Sequence, residues 1–79
     1  MLSIKDAAEL IKTAYKESEI LNKADLRVRF IFQVNLKLPG EENFPVLFSV
    51  DKITGTIKDV SIFDDPDRVE IAQQMIRKK

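Results

Sequence analysis

The stretch from Leu26 to Leu38, LRVRFIFQVNLKL, places an apolar residue at every even-numbered position. Successive side chains of a strand point to opposite faces, so this period of two predicts a strand with one face in the core. The strand would cover residues 26–38, which is long compared with the ~5–6 residues that are usual. Any fold of this chain has to bury the even-numbered face.

A helix is predicted ahead of this strand, over residues 4–21. Ser3 is suited to cap its first turn, and Asp6 places a carboxylate where it favours a helix N-terminus. Apolar residues then recur at helical spacing: Ile4, Ala7, Ala8, Leu10, Ile11, Ala14 and Tyr15. This broad apolar stripe predicts a helix that lies on a sheet.

Three more elements are predicted after the long strand. They are strands over residues 46–51 and 56–63 and a helix over residues 66–77. Gly55, between the two strands, is free to adopt a positive φ in the turn. Asp65 is a good N-cap for the second helix, and Pro66 suits its first position. The apolar stripe of this helix is narrow: Val69, Ala72, Met75 and Ile76.

The order of these elements predicts the fold class. Short connections make the three strands an antiparallel meander. The apolar face of the sheet needs a cover, which the two helices supply. The chain of 79 residues is therefore predicted to be one α+β domain in two layers. Its order is α-β-β-β-α, with a three-stranded sheet and both helices packed on one face.

The composition argues against several classes of function. The chain has no cysteine and no histidine, so it lacks thiolate sites, the commonest metal ligand and the commonest general base. Its two glycines are too few for a glycine-rich phosphate loop. Helix capping explains the acidic residues Asp64, Asp65 and Asp67 better than a metal site does. We therefore predict no enzyme activity, no cofactor and no metal.

Charge and hydropathy bear on location. Lys+Arg and Asp+Glu number 13 each, and the zero net charge argues against unspecific attraction to nucleic acid or an anionic membrane. The first ten residues, MLSIKDAAEL, lack the basic and apolar segments of a secretory signal. No stretch approaches the ~18 apolar residues of a membrane span. A cytoplasmic protein without membrane contact is the expectation.

Two surfaces of the predicted sheet are candidates for binding another protein or a second copy of the chain. Ile31, Leu47 and Ile57 are apolar on the parity that should face solvent, and aligned strands would gather them into a docking patch. The edge of the strand 26–38 is the other candidate, because an exposed edge accepts a strand from a partner.

A basic strand face gives a second hypothesis. Arg27, Arg29 and Lys37 share the outer face of the long strand and would follow a nucleic-acid backbone. Sheets that bind single strands also need exposed aromatic residues, whereas this face offers Ile31 and Gln33. Protein binding is therefore the first hypothesis, and a nucleic-acid-binding accessory protein is the alternative.

The hairpin FSVDKITGTIKDV, Phe48 to Val60, resembles the signature of PepSY-type domains. In that family a strand ends in an aspartate, and a Thr-Gly turn leads into the next strand. The matching residues here are Val50, Asp51, Thr54, Gly55 and Ile57, and the upstream helix with Ala7, Ala8 and Ala14 is similar in kind. The resemblance implies a small regulatory or inhibitory binding module without catalysis. Asp51, Thr54 and Gly55 would then form the structural turn.

Overall fold

The computed structural model describes residues 1–36 and 44–76. The elements within them are α1 (Ile4–Ala14), β1 (Ser18–Asp25), β2 (Arg29–Leu36), β3 (Phe44–Asp51), β4 (Ile57–Val60) and α2 (Arg68–Ile76). The predicted α+β class is confirmed. The predicted three-stranded sheet is wrong, because four strands form one antiparallel sheet in the order β1-β2-β3-β4.

The first helix begins where the sequence predicts. The backbone N–H of Asp6 donates to Ser3 Oγ at 3.1 Å, which satisfies a donor that the first turn of a helix leaves free. Ala7 and Ile11 lie on the buried face of α1 and have no exposed surface. The amphipathic pattern of this segment therefore does place a helix on the sheet.

The prediction of a helix over residues 4–21 is wrong beyond Ala14. A turn follows, and β1 begins at Ser18. Polar side chains hold this turn, because Ser18 Oγ donates to the carbonyl of Tyr15 and Lys12 Nζ donates to the carbonyl of Ser18 at 2.7 Å. These bonds satisfy backbone carbonyls that a longer helix would have used itself.

A β-bulge at Leu21 changes the direction of the side chains in β1. The pairing with β2 skips Leu21, so one residue is inserted without a partner. Ile20 consequently packs on the face that α1 covers, whereas Ala24, which has the same parity, is buried on the opposite face. One short strand thereby contributes to both sides of the sheet.

The two helices cover opposite faces of the sheet, so the prediction of both helices on one face is wrong. The α1-side core consists of Ala7, Ile11, Phe30, Phe32, Val34, Phe48 and Val50. The α2-side core consists of Ala24, Leu26, Ile31 and Ile71, with Leu47, Val60, Ile62 and Met75 packed against it. The architecture is therefore three layers, helix on sheet on helix.

Coverage of both faces explains why the apolar residues of the last strand do not all have the same parity. The predicted strand 56–63 ends at Val60. Ile57 pairs with Val50 and packs on the α1-side core, and Val60 pairs with Leu47 and packs on the α2-side core. Apolar residues of opposite parity are expected in a strand buried on both faces, and the pairing of β4 with β3 is regular.

The long predicted strand 26–38 is shorter and more central than expected. It begins at Arg29 as β2, which pairs with β1 on one side and β3 on the other and so has no free edge. Leu26 is buried in the α2-side core, but Val28 lies in the connection and is 61% exposed. Residues 37 and 38 lie outside the described residues.

The remaining bounds differ by small amounts. The predicted strand 46–51 is observed as β3, which ends at Asp51 as expected and begins two residues earlier. The predicted helix 66–77 is observed as α2, which begins at Arg68. Residue 77 falls outside the described residues.

Candidate functional site

The apolar patch predicted from strand parity is not formed. Ile31 has no exposed surface and lies in the α2-side core. Leu47 packs against the same core, whereas Ile57 packs against the α1-side core on the opposite face. The three residues share no surface, because α2 covers the face that was expected to be open.

The three predicted basic residues do not form a continuous cationic face either. Arg27 is exposed in the connection before β2, and Lys37 lies outside the described residues. Arg29 is half-buried and engaged by the carboxylates of Asp65 and Asp67. The charge of Arg29 is thus compensated within the chain, which lowers its value for binding a nucleic-acid backbone.

Arg29 joins the start of α2 to the sheet. Its Nη2 donates to Asp65 Oδ1 at 2.5 Å and to Asp67 Oδ2 at 2.9 Å. Asp65 Oδ1 also accepts the backbone N–H of Asp67 at 2.8 Å, as a capping residue does at a helix entry. Burial on its own would raise the pKa of Asp65, but the hydrogen bonds from Arg29 and Asp67 and the charge of Arg29 outweigh it and lower that pKa.

These acidic residues therefore have a structural explanation. In the described part of the chain, no group of three or more acidic, histidine or cysteine side chains is arranged to hold a metal ion.

The turn between β3 and β4 is shaped by one carboxylate. Asp51 Oδ1 accepts the backbone N–H of Ile53 at 2.8 Å and that of Thr54 at 2.9 Å. The bonds from Thr54 and Ile53 lower the pKa of Asp51. Gly55 follows with a φ of +77°, the positive value expected for it, and its N–H donates to the carbonyl of Asp51 at 2.9 Å.

A polar hollow of about 360 Å³ lies beside this turn, and Arg29, Ser49 and Lys58 are among its lining residues. Ser49 is buried, and Lys58 lies opposite it on β4. A serine nucleophile needs a base within hydrogen-bonding reach. Within residues 1–36 and 44–76, no hydrogen bond joins Ser49 to Lys58 and Arg29 is held by carboxylates, so Ser49 lacks the geometry of an activated nucleophile.

An apolar groove beside α2, called here the α2 groove, is the most distinctive surface of the molecule. It has a volume of about 660 Å³. Its lining consists of Ile62, Phe63, Arg68, Val69, Ala72, Gln73 and Ile76. Phe63, Val69 and Ile76 are 86%, 63% and 70% exposed. Single exposed apolar residues are ordinary, but a contiguous apolar surface is typical of a binding site.

The groove exists because α2 carries two apolar stripes. Ile71 and Met75, four residues apart, face the sheet and belong to the α2-side core. Val69, Ala72 and Ile76 follow the spacing i, i+3, i+7 and line the groove. The single stripe predicted from the sequence combined residues of both, and it omitted Ile71.

Phe63 joins the α2 groove to a second apolar hollow, of about 580 Å³, at the sheet edge where β4 ends. The second hollow is also lined by Tyr15 and Phe48, whose rings stack with centroids 4.8 Å apart. Phe63 lines both hollows, so it stands at the centre of one extended apolar surface.

The β4 side of the sheet offers a poor edge for adding a partner's strand. The backbone N–H of Asp51 points toward the β4 side, since it donates to the carbonyl of Thr56, the residue before β4, at 3.0 Å. The odd-numbered residues of β3 therefore direct their peptide groups toward β4. The edge strand itself, β4, has only four residues, and Pro45, on the stretch of β3 that extends beyond β4, has no N–H to donate toward this edge.

The opposite edge strand, β1, is also poorly suited to pairing with a partner's strand. β1 contains the bulge at Leu21, which interrupts any continuous ladder, and Glu19, Lys23 and Asp25 expose charged side chains along the strand. Bulges and charges are the usual means by which edge strands avoid further pairing. With the strand 26–38 inside the sheet, the predicted edge docking loses its structural basis.

Sequence reasoning missed the α2 groove, although a signal for it was present. Five of the nine residues of α2 are apolar and Ala72 is one of them, which is more than one narrow face accommodates. Phe63 was assigned to a strand, yet the helix cap at Asp65 leaves little room for the strand to reach it. Both features place apolar side chains outside the core.

Comparisons of the chain with family models, with curated proteins and with solved structures find no match. The resemblance to PepSY-type domains therefore stays a prediction based on the hairpin residues. None of the helices among the described residues has the length and apolar character needed to cross a membrane.

Proposed function

We propose that this chain is a non-enzymatic protein-interaction module, regulatory or inhibitory in kind, and that it binds its partner through the α2 groove. One observation carries the proposal. Phe63, Val69 and Ile76 expose most of their surface and line the same groove rather than lying apart. Burying such a surface against a partner is favourable in proportion to the apolar area removed from water.

The attachment of α2 supports this proposal. Arg29 holds the helix entry through Asp65 and Asp67, and Ile71 holds its middle in the α2-side core. The groove is thus bounded by elements that are fixed before a partner arrives. A preformed surface loses less conformational entropy on binding, so a small apolar area can still give useful affinity.

Nucleic-acid binding through Arg27, Arg29 and Lys37 stays the alternative and has less support. Its central cation, Arg29, already donates to two carboxylates. Binding to an oligonucleotide that weakens steeply as salt is raised would favour this alternative. The cytoplasmic location likewise stays a prediction.

The proposed function is tested by placing a photo-crosslinking amino acid at Ala72, inside the groove, in the cells that produce the chain. The matched control carries the crosslinker at Ile53, which is 73% exposed but lies in the turn after β3. We expect a discrete protein product from position 72 and none from position 53. The product should disappear when Val69→Asp and Ile76→Asp are added, and should bind the purified chain directly.

The absence of a product at position 72, or equal products at both positions, would contradict the proposal. Circular dichroism checks that the aspartate variants are folded. We expect them to be folded, because both side chains are largely exposed in the free chain.

A further inference from the structure

We propose that the polar hollow beside the turn between β3 and β4 is a binding site for a small zwitterion, namely an α-amino acid with an aliphatic side chain. The hollow shares no lining residue with the α2 groove, so this inference goes beyond the proposed function and is independent of it. It is carried by a buried hydroxyl group without a partner, by two opposite charges that do not meet, and by the size of the hollow.

The strand register shows which side of the sheet the hollow occupies. Ser49 pairs with Ile31 on one side and with Lys58 on the other, and Ile31 belongs to the α2-side core. Residues directly opposite each other on neighbouring strands share a face, so Ser49 and Lys58 also lie on the α2 side. Arg29 and Asp51 form the next pair on this face. Side chains of three neighbouring strands therefore border the hollow.

The hydroxyl group of Ser49 is the most informative group in the hollow. Ser49 is only 6% exposed, and buried polar groups usually have a hydrogen-bond partner. Among the side-chain hydrogen bonds within residues 1–36 and 44–76, none involves this hydroxyl, yet no unpartnered side-chain oxygen or nitrogen in that part of the chain is sealed from solvent. The hydroxyl is therefore open to the hollow that it lines, where it can donate to a ligand or accept from one.

Two opposite charges line the hollow near each other. Lys58 pairs with the residue two positions before Asp51, so the two are diagonal neighbours on one face, about 7–8 Å apart at their Cα atoms. Bonds from Thr54 and Ile53, and to a smaller extent the charge of Lys58, lower the pKa of Asp51. No salt bridge joins Asp51 to Lys58 in the described part of the chain. A small molecule between the two charges can therefore bind both.

A zwitterion matches these groups. Its carboxylate would accept hydrogen bonds from the ammonium group of Lys58 and the hydroxyl group of Ser49, which are side by side on neighbouring strands. Its ammonium group would donate to Asp51, because both turn bonds of Asp51 go to Oδ1 and Oδ2 can accept a further donor. Val28, an apolar lining residue that is 61% exposed, would contact the side chain of the ligand. Together these contacts describe an aliphatic α-amino acid.

Ligands with a net charge fit this corner less well. The hollow and the side chains bound to it contain the carboxylates of Asp51, Asp65 and Asp67 and the cations of Arg29 and Lys58. A free anion gains little here, because the carboxylates outnumber the cations. A simple cation would meet the ammonium group of Lys58 with no carboxylate of its own to offset the repulsion. A zwitterion adds no net charge and presents an opposite charge to each group.

The size of the hollow sets an upper limit on the ligand. Its volume of about 360 Å³ is at the lower end of the ~300–1,000 Å³ that is typical of small-molecule sites. Thr54 and Thr56 also line it, and their hydroxyl groups, 2.8 Å apart, bond to each other rather than to a charged group. The hollow therefore suits a metabolite with few atoms.

The test titrates valine into the intact ¹⁵N-labelled chain and follows the amide resonances by NMR. Two analogues each lack one charge: isobutylamine has no carboxylate, and isovalerate has no ammonium group. We expect valine to shift the amides of Ser49 and Lys58 in a saturable way. Each analogue should bind at least about tenfold more weakly, because it loses a charge-assisted hydrogen bond. The amide of Ala72, in the α2 groove, should not shift.

Variants assign the two ends of the ligand. Lys58→Ala should lower the affinity for valine to about that of isobutylamine. Asp51→Asn, which keeps an oxygen for the N–H groups of the turn, should lower it to about that of isovalerate. The matched control, Lys23→Ala, removes another exposed strand lysine that is outside the lining and should leave valine binding unchanged. Lys58 is exposed, so its variant should fold even if the Asp51 variant does not.

Several results would overturn this inference. They are the absence of saturable shifts with valine, binding of isovalerate or isobutylamine as tight as that of valine, and equal weakening of valine binding by Lys58→Ala and Lys23→Ala. Shifts confined to Ala72 and its neighbours would also overturn it, because the ligand would then lie in the α2 groove. The proposed function is judged separately, by the crosslink at position 72.

Discussion

The two faces of the sheet are covered in different ways. Aromatic rings pack beneath α1 on one face, whereas smaller side chains and hydrogen bonds join α2 to the other face. On the first side, Phe30, Phe32 and Phe48 are buried together beneath α1. On the second side, Ile31 and Ile71 form the centre of a smaller cluster. The α1 side therefore removes more apolar surface from water, which is the main source of folding free energy.

Hydrogen bonds to the sheet hold α2 in addition to this smaller core. Asn22 Nδ2 donates to the carbonyl of Met75 at 3.2 Å. The Gln74 side chain accepts from the N–H of Asp25 at 2.7 Å and donates to its carbonyl at 2.9 Å. Each such bond adds only about 0.5–1.5 kcal/mol, but it fixes direction, which apolar burial does not. The helix that carries the groove is thus positioned mainly by directional bonds.

The largest expected loss of stability comes from a substitution in the α1-side core. Phe32 has no exposed surface, so Phe32→Ala should lower the free energy of unfolding by about 3–5 kcal/mol through lost burial and a cavity. Urea unfolding measures the loss. The matched control, Phe63→Ala, should change stability by less than about 0.5 kcal/mol, because Phe63 is an exposed residue. Equal losses for the two variants would contradict the division between core and groove.

A smaller effect is expected on the α2 side. Ile71→Ala should cost about 2–3 kcal/mol, at the lower end of the range for buried isoleucine, because fewer large side chains surround it. Hydrogen exchange should show faster opening of α2 than of α1 in this variant. Ile76→Ala, a change of the same type on the exposed stripe, serves as the control. A cost for Ile71→Ala above that for Phe32→Ala would reverse the comparison.

Substitutions at Gly55 test the turn that borders α1. A side chain there would meet Leu10 Cδ1 at 3.3 Å and would have to adopt a φ of +77°. Gly55→Val should therefore cost about 2 kcal/mol, since a branched residue tolerates positive φ poorly. Gly55→Asn should cost less, because asparagine adopts this conformation more readily. Thermal melts of the two variants should differ in that order, and identical melts would argue against strain at this position.

The smallest effect concerns the bond between α2 and the sheet. Asp65→Asn removes a charged acceptor of Arg29 and should cost about 1–2 kcal/mol at neutral pH. The pKa of Asp65 is lowered in the folded chain, so its contribution is fully present above the unfolded pKa of about 3.9 and is lost as the pH falls through the lower folded value.

The stability difference between the parent chain and Asp65→Asn should accordingly shrink as the solution is made acidic. Urea unfolding from neutral pH to pH ~3 follows this difference. Asp64→Asn, on the exposed neighbour, should differ little from the parent at any of these pH values. A constant difference for Asp65→Asn across the range would show that the carboxylate is not stabilised in the folded chain.

The same division explains what the sequence could predict. Local sequence signals correctly predicted the α+β class, the start of α1 at its Ser3 cap and the turn at Gly55. The open face was predicted wrongly because Ile31, Leu47 and Ile57 were interpreted as apolar residues that face solvent. An apolar residue on the second parity of a strand signals burial on both faces, and this reading would have required a helix above it.

The sequence pattern did not predict β1, and the reason is physical. The bulge at Leu21 turns Ile20 to one face and Ala24 to the other, so the strand shows no period of two. Its residues also continue the amphipathic spacing of α1 for another turn. Local pattern alone extended the helix, whereas the pairing with β2, which decides the structure, lies in residues distant along the chain.

The bulge in β1 affects which changes of length related chains can tolerate. Ile20 and Ala24 face opposite sides of the sheet although they are four positions apart, because Leu21 is inserted between them without a partner. Without Leu21 the two residues would be three positions apart, and strict alternation would still place them on these opposite faces. Related chains should therefore tolerate the loss of this one residue, and should otherwise vary in length in the connections between elements.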